Sequence, residues 1–378
     1  MSLHVAQINF LPAPRGLGLA ALLERWPSLT DIAELVASAG VRVTVLQAAA
    51  HAERLTRAGV DYRLVDLRGT WTARGRGRRF ADALDGSSVD ALHAHSLAYV
   101  DDAFAIAGKL APDLPVVFQD HADRLPRWWR QPRHRRRFAA AAGVAFTAVE
   151  LAQPFVTAGV FDPATRLFAI PESSSRFTPG DRARARAATG VRGNPCALWV
   201  GRLNRGKDPL TVLDGVALAA ERLPGLQLWC AFGEAPMLAE VRAHIDADPR
   251  LAGRVHLLGK VTHAQVETLM RAADLFVSGS RAEGSGYAAM EALACGLTPV
   301  LTDIPAFRAL TGNGRIGRLW PCGDASALAA ALVDATANRS SPQQVRAHFD
   351  ETLSFQAVGR LWAAAYARVL DDRHGSAP

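Results

Sequence analysis

The sequence predicts an α/β protein with two domains, each built on a parallel β-sheet that helices cover on both faces. The chain has 378 residues, about twice the size of a common domain. Short apolar runs alternate with longer alanine- and leucine-rich stretches of helical period, which is the pattern of a buried parallel sheet. Hydrophobic residues make up 49% and charged residues 21%, a composition that excludes a disordered chain and a coiled coil.

Ten short apolar segments are predicted strands. Those of the first half are residues 4–10, 41–47, 91–95, 116–119 and 144–147, and those of the second half are 197–200, 227–232, 255–258, 275–278 and 298–301. Segments 30–39 and 212–222 are typical of the helices between them. Proline, glycine and charged residues interrupt this pattern at 176–194. The interruption predicts a first domain over 1–175 and a second over 195–354.

The overall charge and the cysteines narrow the class of protein only a little. The net charge is +7, and the chain uses arginine almost throughout, its lysines being Lys109, Lys207 and Lys260. An arginine- and alanine-rich composition also arises in high-GC genomes, so local clusters say more than the total. Four separated cysteines predict reduced core residues rather than a metal site. The N-terminus lacks a signal-peptide pattern and no apolar run reaches about 18 residues, so we expect a cytoplasmic protein without a membrane span.

A glycine-containing basic loop follows the predicted strand 197–200. It reads VGRLNRGKDPL and places Arg202 and Lys207 five positions apart, just before a helical pattern. Two cations beside a helix start suit a diphosphate, although a solvated basic loop has the same composition. Because Lys207 is one of three lysines in an arginine-rich chain, the sequence slightly favours a required ammonium group.

A second loop carries two carboxylates and several small residues. Segment 280–301 follows the predicted strand 275–278, and before a helix it contains Gly284, Ser285 and Gly286. Such a loop lets the backbone approach a phosphate at the start of the helix, which begins near Tyr287. Glu283 lies before the helix and Glu291 about one turn inside it. Acceptor-only carboxylates at this place suit sugar or ribose hydroxyls.

Together these loops resemble the signature of the family four retaining glycosyltransferases of GT-B architecture, the "glycosyl transferases group one". The string EGSGY before EALACG, the basic loop about 80 residues earlier and Gly233 after the strand 227–232 carry the resemblance. It covers nearly the whole chain and is strongest over 198–333. It implies two Rossmann-like domains whose parallel sheets face each other across a cleft, with a C-terminal helix over 355–372 that completes the first domain.

The resemblance also implies roles for the residues of the second domain. Arg202 and Lys207 would neutralise the donor diphosphate, and Glu291 would bond the ribose hydroxyls. Glu283, with the backbone of 284–287, would hold the donor sugar and the distal phosphate. The nucleobase would lie near Phe232, Gly233 and Val261. The bond would form with retention through an oxocarbenium-like state, and the leaving phosphate would take the acceptor proton without a protein nucleophile.

In the first half, the resemblance implies a donor-phosphate loop at Gly16 and Gly18 and a catalytic histidine at His121. His93 and His95 compete with His121, and a polar loop histidine remains the plain alternative. The chain departs from the family at 170–175, where IPESSS replaces Pro-Asn-Gly, and at Ser285, where an aromatic or apolar residue is common. These departures bear on the substrate more than on the activity.

A basic and aromatic cluster occupies 124–137, with a second arginine run at 74–79. Its composition fits nucleic acid, an anionic membrane surface, an acceptor with phosphate or carboxylate groups, or a solvated loop. No recognised nucleic-acid fold accompanies it. Its place after His121 favours an anionic acceptor or a membrane contact, although prolines at 126 and 132 prevent one continuous amphipathic helix. The residues assigned to this side are Arg124, Arg127, Trp128 and Trp129.

The sequence therefore predicts a retaining hexosyltransferase that uses a nucleoside-diphosphate sugar and a hydroxyl acceptor, a glycan, a lipid or a small molecule. A GT-B sugar-nucleotide epimerase and a degenerate anion-binding member are the alternatives. We expect no cofactor, no required metal and no nucleic acid, with peripheral contact to the inner face of the cell membrane left open. The pair Asp246 and Asp248 is interpreted as surface capping and not as a metal site.

Overall fold

The computed structural model describes residues 3–26, 28–84 and 86–375, with side chains as far as residue 371. The chain forms two compact units. Unit 1 comprises Met1–Ser173 and Phe355–Pro378, and unit 2 comprises Ser174–Ser354. Each unit has its own sheet and its own buried core.

Eight strands form the sheet of unit 1 within its described residues, in the order β3-β4-β2-β1-β5-β6-β7-β8. They are β1 (His4–Asn9), β2 (Arg42–Ala49), β3 (Glu53–Arg57), β4 (Val60–Asp66), β5 (Ala91–His95), β6 (Val116–Gln119), β7 (Gly143–Phe146) and β8 (Leu167–Ala169). Neighbouring strands are parallel except the edge strand β3, which runs antiparallel to β4. The central strands are buried along most of their length, as both faces of a parallel sheet require.

Helices cover both faces of this sheet. In chain order they are α1 (Leu19–Arg25), α2 (Ser28–Ser38), α3 (Ala73–Asp82), α4 (Val100–Leu110), α5 (Gln131–Phe138) and α6 (Gln153–Thr157). Helices α3, α4 and α5 share one apolar cluster, in which Phe80, Ile106 and Phe138 are buried. Helices α1 and α2 contribute to a second cluster, with Leu22 and Ile32 among its buried residues.

Unit 2 holds a sheet of six strands in the described part of the chain, all parallel, in the order β11-β10-β9-β12-β13-β14. They are β9 (Cys196–Gly201), β10 (Gln227–Phe232), β11 (Val255–Gly259), β12 (Leu275–Ser278), β13 (Thr298–Thr302) and β14 (Arg318–Trp320). Its helices are α7 (Arg182–Thr189), α8 (Pro209–Ala219), α9 (Leu238–Ala247), α10 (His263–Ala272), α11 (Tyr287–Ala294), α12 (Pro305–Thr311), α13 (Ala325–Ala337) and α14 (Pro342–Thr352).

The last helix, α15 (Phe355–Gly375), belongs to unit 1. Its buried face contributes Val358, Trp362 and Tyr366 to the same cluster as α1 and α2. Gly359 permits close contact with α2, because a Cβ at this position would lie 3.0 Å from Leu35 Cβ. No helix of the described residues combines the length and apolarity needed to cross a bilayer.

The structure differs from the sequence-based boundary at 176–194, because this segment is part of unit 2. The alternation of arginine and alanine in RARARAAT forms helix α7, which buries Ala185 and packs against α10. Phe177 and Val191 are buried beside it. The buried carboxylate of Asp274 then binds Arg186 at 2.8 Å and the backbone N–H of Cys196 at 2.8 Å. The charges of this segment therefore pair within a folded unit.

The strand order places one reversal point in each sheet. In unit 1 the chain moves outward from β1 to β2 and β4, and then crosses to β5 on the other side of β1. In unit 2 it moves outward from β9 to β10 and β11, and then crosses to β12. Ligands of open α/β sheets bind outside the carboxyl ends of the strands at such points. The loops after β1 and β5, and after β9 and β12, are therefore the places to look for a site.

Candidate functional site

In unit 2, the loops that follow β9 and β12 are joined through their backbones. Asn204 caps a 3₁₀ turn by accepting the N–H of Lys207 at 3.1 Å. The N–H of Arg281 donates to the carbonyl of Gly206 at 2.9 Å. A Cβ at Gly279 would lie 2.7 Å from Val212 Cγ2 and 3.0 Å from the carbonyl oxygen of Asp208, so a larger residue would push the two loops apart. The two motif loops thus form one local structure at the carboxyl ends of the strands.

Lys207 and Glu283 form an ion pair in this structure. Lys207 Nζ donates to Glu283 Oε1, and the hydroxyl of Ser280 donates to the same oxygen at 2.7 Å. The side chains of Lys207 and Glu283 are 23% and 16% exposed, and Ser280 is fully buried. Ser278 and Ser280 hydroxyls lie 3.0 Å apart. A cation and an anion from the two predicted motifs are therefore held together, by serines that the sequence-based prediction did not include.

Glu291 lies one turn inside α11 and pairs with a histidine. Its Oε1 is 2.7 Å from Nε2 of His263, and burial raises the pKa of the Glu291 carboxyl above its ordinary value. His263 is mostly exposed, and its ring lies 4.6 Å from that of Phe177. The sequence-based prediction did not include His263 as a site residue, because the capping box of Thr262 and Gln265 around it indicates only the start of a helix. Glu291 is thus a partly buried carboxylate with an accessible partner.

Arg202 has a different partner from Lys207. A guanidinium nitrogen of Arg202 is 3.8 Å from the carboxylate of Glu234, and both side chains are exposed. The backbone N–H of Leu203 donates to the carbonyl of Glu234 at 2.9 Å, which ties the loop after β9 to the loop after β10. Gly233 borders open space, since a Cβ there would have no described heavy atom within 4 Å. Open space therefore adjoins the loop that carries Glu234, the partner of Arg202.

The start of α11 requires glycine at position 286. Gly286 has a φ of +66°, and a Cβ there would approach Phe307 Cε1 to 2.9 Å. Ser285 is buried, whereas Tyr287 is exposed at the first position of the helix. Val261, predicted near the nucleobase, is partly buried against the core of the unit. The predicted residues over 283–291 therefore lie on one strand–loop–helix segment, although their ligand contacts stay predictions.

In unit 1, His121 lies between a carboxylate and a second histidine. His121 Nδ1 is 2.6 Å from Glu172 Oε1, and His121 Nε2 is 3.0 Å from His95 Nδ1. Burial lowers the pKa of His95 well below its ordinary value, so its ring is neutral. In neutral His121, Glu172 accepts the Nδ1–H, and Nε2 accepts the Nδ1–H of His95. Glu172 lies in the segment 170–175, where IPESSS replaces Pro-Asn-Gly. This departure was the one feature of the sequence that pointed to Glu172 as a site residue.

The neighbouring His93 is part of the core. Its Nδ1 lies 2.6 Å from the hydroxyl of Tyr366, and its ring centre lies 4.1 Å from that of Trp362 with the two rings tilted by 30°. Burial lowers the pKa of His93 to about 3. A fully buried neutral ring packed by α15 supports the sheet, whereas His95 and His121 reach the loop edge. Of the three histidines considered from the sequence, His121 is the one with both a carboxylate partner and partial exposure.

A cavity of about 440 Å³ adjoins His95 and His121 at the reversal point of unit 1. Its other lining residues include Phe10, Trp26 and Tyr99. The loop with Gly16 and Gly18 precedes α1, where Glu53 Oε2 accepts the N–H of Leu19 at 2.8 Å. The carboxylate of Glu53 therefore binds the N-terminus of α1, where the resemblance implied a donor phosphate. The phosphate role of Gly16 and Gly18 stays a prediction.

The basic cluster after His121 forms a 3₁₀ turn at Trp128–Arg130 followed by α5, with Pro132 in the first turn of the helix. Trp128 and Trp129 are exposed, and the guanidinium carbon of Arg127 lies 5.3 Å from the centre of the Trp129 ring. Arg124 and Arg127 line a smaller cavity beside α5. Asp246 lies in α9 of unit 2 and Asp248 directly follows this helix, where it binds Arg250 at 2.8 Å. Over the described residues, no three His, Cys, Asp or Glu side chains are placed to hold a metal ion.

Comparison with known proteins identifies related sequences. The family model described as Glycosyl transferases group 1 matches residues 194–338. The chain is 30% identical over 305 residues to a GDP-mannose:cellobiosyl-diphosphopolyprenol alpha-mannosyltransferase of Xanthomonas campestris. The aligned region covers 76% of this chain and 75% of that protein. It is 36% identical over 149 residues to a D-inositol 3-phosphate glycosyltransferase of Mycobacteroides abscessus, which covers 38% of this chain and 33% of that protein. The chain thus spans only about a third of the length of the latter relative.

Solved structures share the fold. A glycosyltransferase from Rickettsia africae ESF-5 superposes with a TM-score of 0.72 at 14% identity, covering 98% of this chain and 99% of that chain. Sucrose-phosphate synthase from Thermosynechococcus elongatus has a TM-score of 0.68 at 18% identity, covering 98% and 100%. These neighbours have the GT-B architecture, which confirms the fold class predicted from the sequence.

Proposed function

The chain belongs to the family of glycosyl transferases group 1, as its motifs predicted, and on this basis we propose that it is a retaining glycosyltransferase. Its reaction would move a hexose from a nucleoside-diphosphate sugar to a hydroxyl group. The observation that carries the proposal is the pairing of Lys207 with Glu283 at the carboxyl ends of β9 and β12. This is the reversal point of the sheet, where an ammonium group meets an entering diphosphate.

The two cations of the basic loop would serve the leaving group. Negative charge grows on the diphosphate as the bond to the sugar breaks, and positive groups already in place stabilise that charge. Lys207 is partly buried, so its charge is screened less than that of a surface lysine. Among the described residues, Arg202 makes a long contact to Glu234, so it can turn to the diphosphate at little cost. We propose that these side chains supply the positive charge, so that a metal ion is not required.

Two carboxylates would select the donor. Glu291 has acceptor oxygens in a partly buried position, and a ribose that donates two hydroxyl protons would replace His263 as its partner. Glu283 would bond hydroxyls of the donor sugar, with Ser280 fixing its orientation. An acceptor-only group that meets a hydroxyl donor gives specificity, because a ligand without that hydroxyl leaves the carboxylate unpaired.

His121 would act in unit 1 as the group that stabilises positive charge on the sugar. Its ring has one nitrogen held by Glu172 and lies beside the cavity at the reversal point. Glu172 accepts the Nδ1–H of the neutral ring and fixes its orientation, the role that a carboxylate has beside a functional histidine. The leaving phosphate would take the acceptor proton, so the reaction needs no protein nucleophile, and the anomeric configuration is retained.

We propose an anionic, lipid-linked hydroxyl compound as the acceptor. The mannosyltransferase relative is named for a diphosphopolyprenol acceptor, which combines a diphosphate with a lipid chain. Arg124, Arg127, Trp128 and Trp129 offer guanidinium and indole groups of the kind that bind such a compound. Location at the inner face of the cell membrane would follow from an acceptor of this type.

A thermal-shift panel tests donor binding. The ligands are GDP, UDP and ADP with GDP-mannose and UDP-glucose, each with and without a chelator, on the wild type and on Lys207→Ala. Arg242→Ala, an exposed arginine on α9, is the matched control. We expect one nucleotide series to stabilise the wild type and the control but not Lys207→Ala. No stabilisation by any nucleotide would overturn the proposal, and stabilisation lost with the chelator would overturn its metal-independent part.

Turnover with the stabilising donor then separates the reaction types. A transferase releases nucleoside diphosphate only with an acceptor, whereas an epimerase changes the sugar nucleotide without releasing it. The anomeric coupling constant of the product, measured by NMR, tests retention. Conversion of the donor without any acceptor and without nucleotide release would favour the epimerase.

A further inference from the structure

A second cavity of about 440 Å³ lies on the helical face of unit 1, and half of its lining residues are cationic. Helices α3, α4 and α5 form its walls. The charged residues that line it are Arg74, Arg78, Asp101, Lys109, Arg133 and Arg137. Five of these six side chains are positive, so the cavity carries an excess of positive charge that the glycosyltransferase proposal does not use.

The charges of this cavity are only partly compensated. The carboxylate of Asp101 binds both Arg133 and Arg137, at 2.9 and 3.1 Å. Arg74, Arg78 and Lys109 have no ion pair within the part of the chain that the structure describes. Unpaired cations that share one concave surface raise the local concentration of anions. The cavity therefore has the chemistry of a phosphate-binding site.

This cavity is separate from the His121 site. Helix α4 starts after the carboxyl end of β5 and ends at Leu110, before the amino end of β6. Lys109, near the end of α4, accordingly lies toward the amino ends of the strands, whereas Arg74 and Asp101, near the starts of α3 and α4, lie toward the carboxyl ends, so the cavity extends along the helices. His95 and His121 lie at the carboxyl ends, and the cavity beside them has no lining residue in common with this one.

Three exposed tryptophans belong to the same helical layer. Trp71 precedes α3 by two residues and is 89% exposed, while Trp128 and Trp129, 75% and 53% exposed, directly precede α5. Large exposed indoles are unusual on a protein surface that meets only water. Tryptophan is enriched at the level of lipid headgroups, because its ring is apolar and its N–H is a hydrogen-bond donor.

We propose that the face formed by α3, α4 and α5 docks on an anionic phospholipid surface. Headgroup phosphates would enter the cavity and pair with Arg74, Arg78 and Lys109, while the tryptophans at the starts of α3 and α5 insert at the headgroup level. Single-stranded nucleic acid fits less well. Trp128 and Trp129 are perpendicular, at 90°, and the Arg127 guanidinium lies over the Trp129 ring, so the pair offers no parallel platform for successive bases.

Vesicle flotation with the full chain tests this docking. The vesicles are phosphatidylcholine alone and phosphatidylcholine with phosphatidylglycerol, at low and high salt. We expect binding to the anionic vesicles alone, and an approximately 100-fold weaker partition for Arg74→Gln/Arg78→Gln/Lys109→Gln, since each cation near an anionic surface contributes roughly a fivefold factor. The control Arg184→Gln/Arg222→Gln/Arg242→Gln removes the same charge from exposed positions of unit 2 and should bind like the wild type.

Further arms distinguish the sources of an anion. Trp71→Ala and Trp128→Ala/Trp129→Ala should weaken binding most at high salt, where charge contributes least. Equal binding to neutral vesicles, an unchanged triple variant or an equally weakened control would overturn the proposal. Thermal stabilisation by inorganic tripolyphosphate without vesicle binding would also overturn it in favour of a soluble anion, and tighter binding of an oligonucleotide would overturn it in favour of nucleic acid. The assay uses no donor or acceptor, and the arms with Arg74, Arg78, Lys109 and Trp71 change residues that the glycosyltransferase proposal does not use, so the outcome of these arms is independent of that proposal.

Discussion

The ion pair between Lys207 and Glu283 predicts opposite effects of removing its two members. Lys207→Met should weaken the binding of a nucleoside diphosphate, because it removes the ammonium that meets the phosphates. Glu283→Gln should strengthen the same binding, because its carboxylate now neutralises Lys207 and repels an anion. A nucleoside diphosphate lacks the hexose, so the proposed contact of Glu283 with the donor sugar does not enter this measurement.

The sizes of these effects follow from the structure. A hydrogen bond to a charged group contributes about 1.5–3 kcal/mol, so Lys207→Met should weaken binding about 10- to 100-fold. Two unit charges about 6 Å apart interact by about 3 kcal/mol at an effective dielectric constant of about 20. Partial exposure and salt reduce this for the carboxylate and the phosphate to about 1 kcal/mol, so Glu283→Gln should bind about fivefold more tightly.

Isothermal titration calorimetry with the nucleoside diphosphate that gives the largest thermal shift measures both variants. Glu240→Gln removes one negative charge from an exposed position of α9 and controls for net charge. The gain in Glu283→Gln should shrink as salt increases, since it is electrostatic. If Glu283→Gln weakens nucleoside diphosphate binding as much as Lys207→Met, the carboxylate contacts the nucleotide directly and this reasoning is refuted.

Three further variants test other parts of the chain. Glu172→Gln should lower kcat about 10- to 100-fold with little change in KM, because it removes a charge-assisted hydrogen bond to His121; a change in KM alone would contradict this role. Burial raises the pKa of Asp120 to about 6 from 3.8, so its ionisation opposes folding and lowers the unfolding free energy as pH rises from about 4 to 6. The unfolding free energy of Asp120→Asn relative to that of the wild type should therefore rise by about 2 kcal/mol between pH 4 and pH 7, as measured by denaturant titrations. A difference that does not change with pH would contradict the raised pKa of Asp120. Gly317→Ala should destabilise unit 2 by more than about 3 kcal/mol, because φ is +82° and its Cβ would lie 2.1 Å from a carbonyl oxygen, whereas Gly314→Ala, at φ +80° with 3.5 Å clearance, should cost about 1 kcal/mol; equal losses would contradict the clash.

Most buried strands could be predicted from sequence, with the exception of β4, which was not predicted although Val60, Tyr62, Leu64 and Val65 are buried. Strands with little buried apolar surface were not predicted either. The segments around β1, β5, β6, β9 and β12 are short apolar runs, and their predicted positions agree with the structure to within one residue. Strand β3 reads ERLTR and is mostly exposed, so it shows no apolar alternation. Strands β8 and β14 have three residues each, too few for a period to be visible. These strands form through pairing with their neighbours.

The sequence predicted individual site residues but not the partners that hold them. Lys207 and Glu283 lie in or beside recognisable loops and Glu291 lies in the helix that follows one, because glycine and charge mark the backbone approach to a phosphate. His263 is 28 residues from Glu291, and Glu172 is 51 residues from His121, so neither pairing has a local signal. Sheet topology brings these groups together, and a single sequence does not specify that topology in enough detail to place side chains within hydrogen-bond distance.

The pairing of charges distinguishes the two kinds of site in this protein. Lys207 has Glu283 and Glu291 has His263, so a donor must replace an existing partner to bind. Exchange of partners gives little net affinity for an arbitrary anion and selects a ligand that satisfies both freed groups at once. Arg74 and Lys109, in contrast, form no ion pair among the described residues, because Asp101 of the same cavity pairs with Arg133 and Arg137, and they attract anions without such an exchange. We therefore expect nucleotide binding to depend on hydroxyl and phosphate geometry and vesicle binding to depend mainly on charge density and salt, which makes the salt slope the measurement that tells the two sites apart.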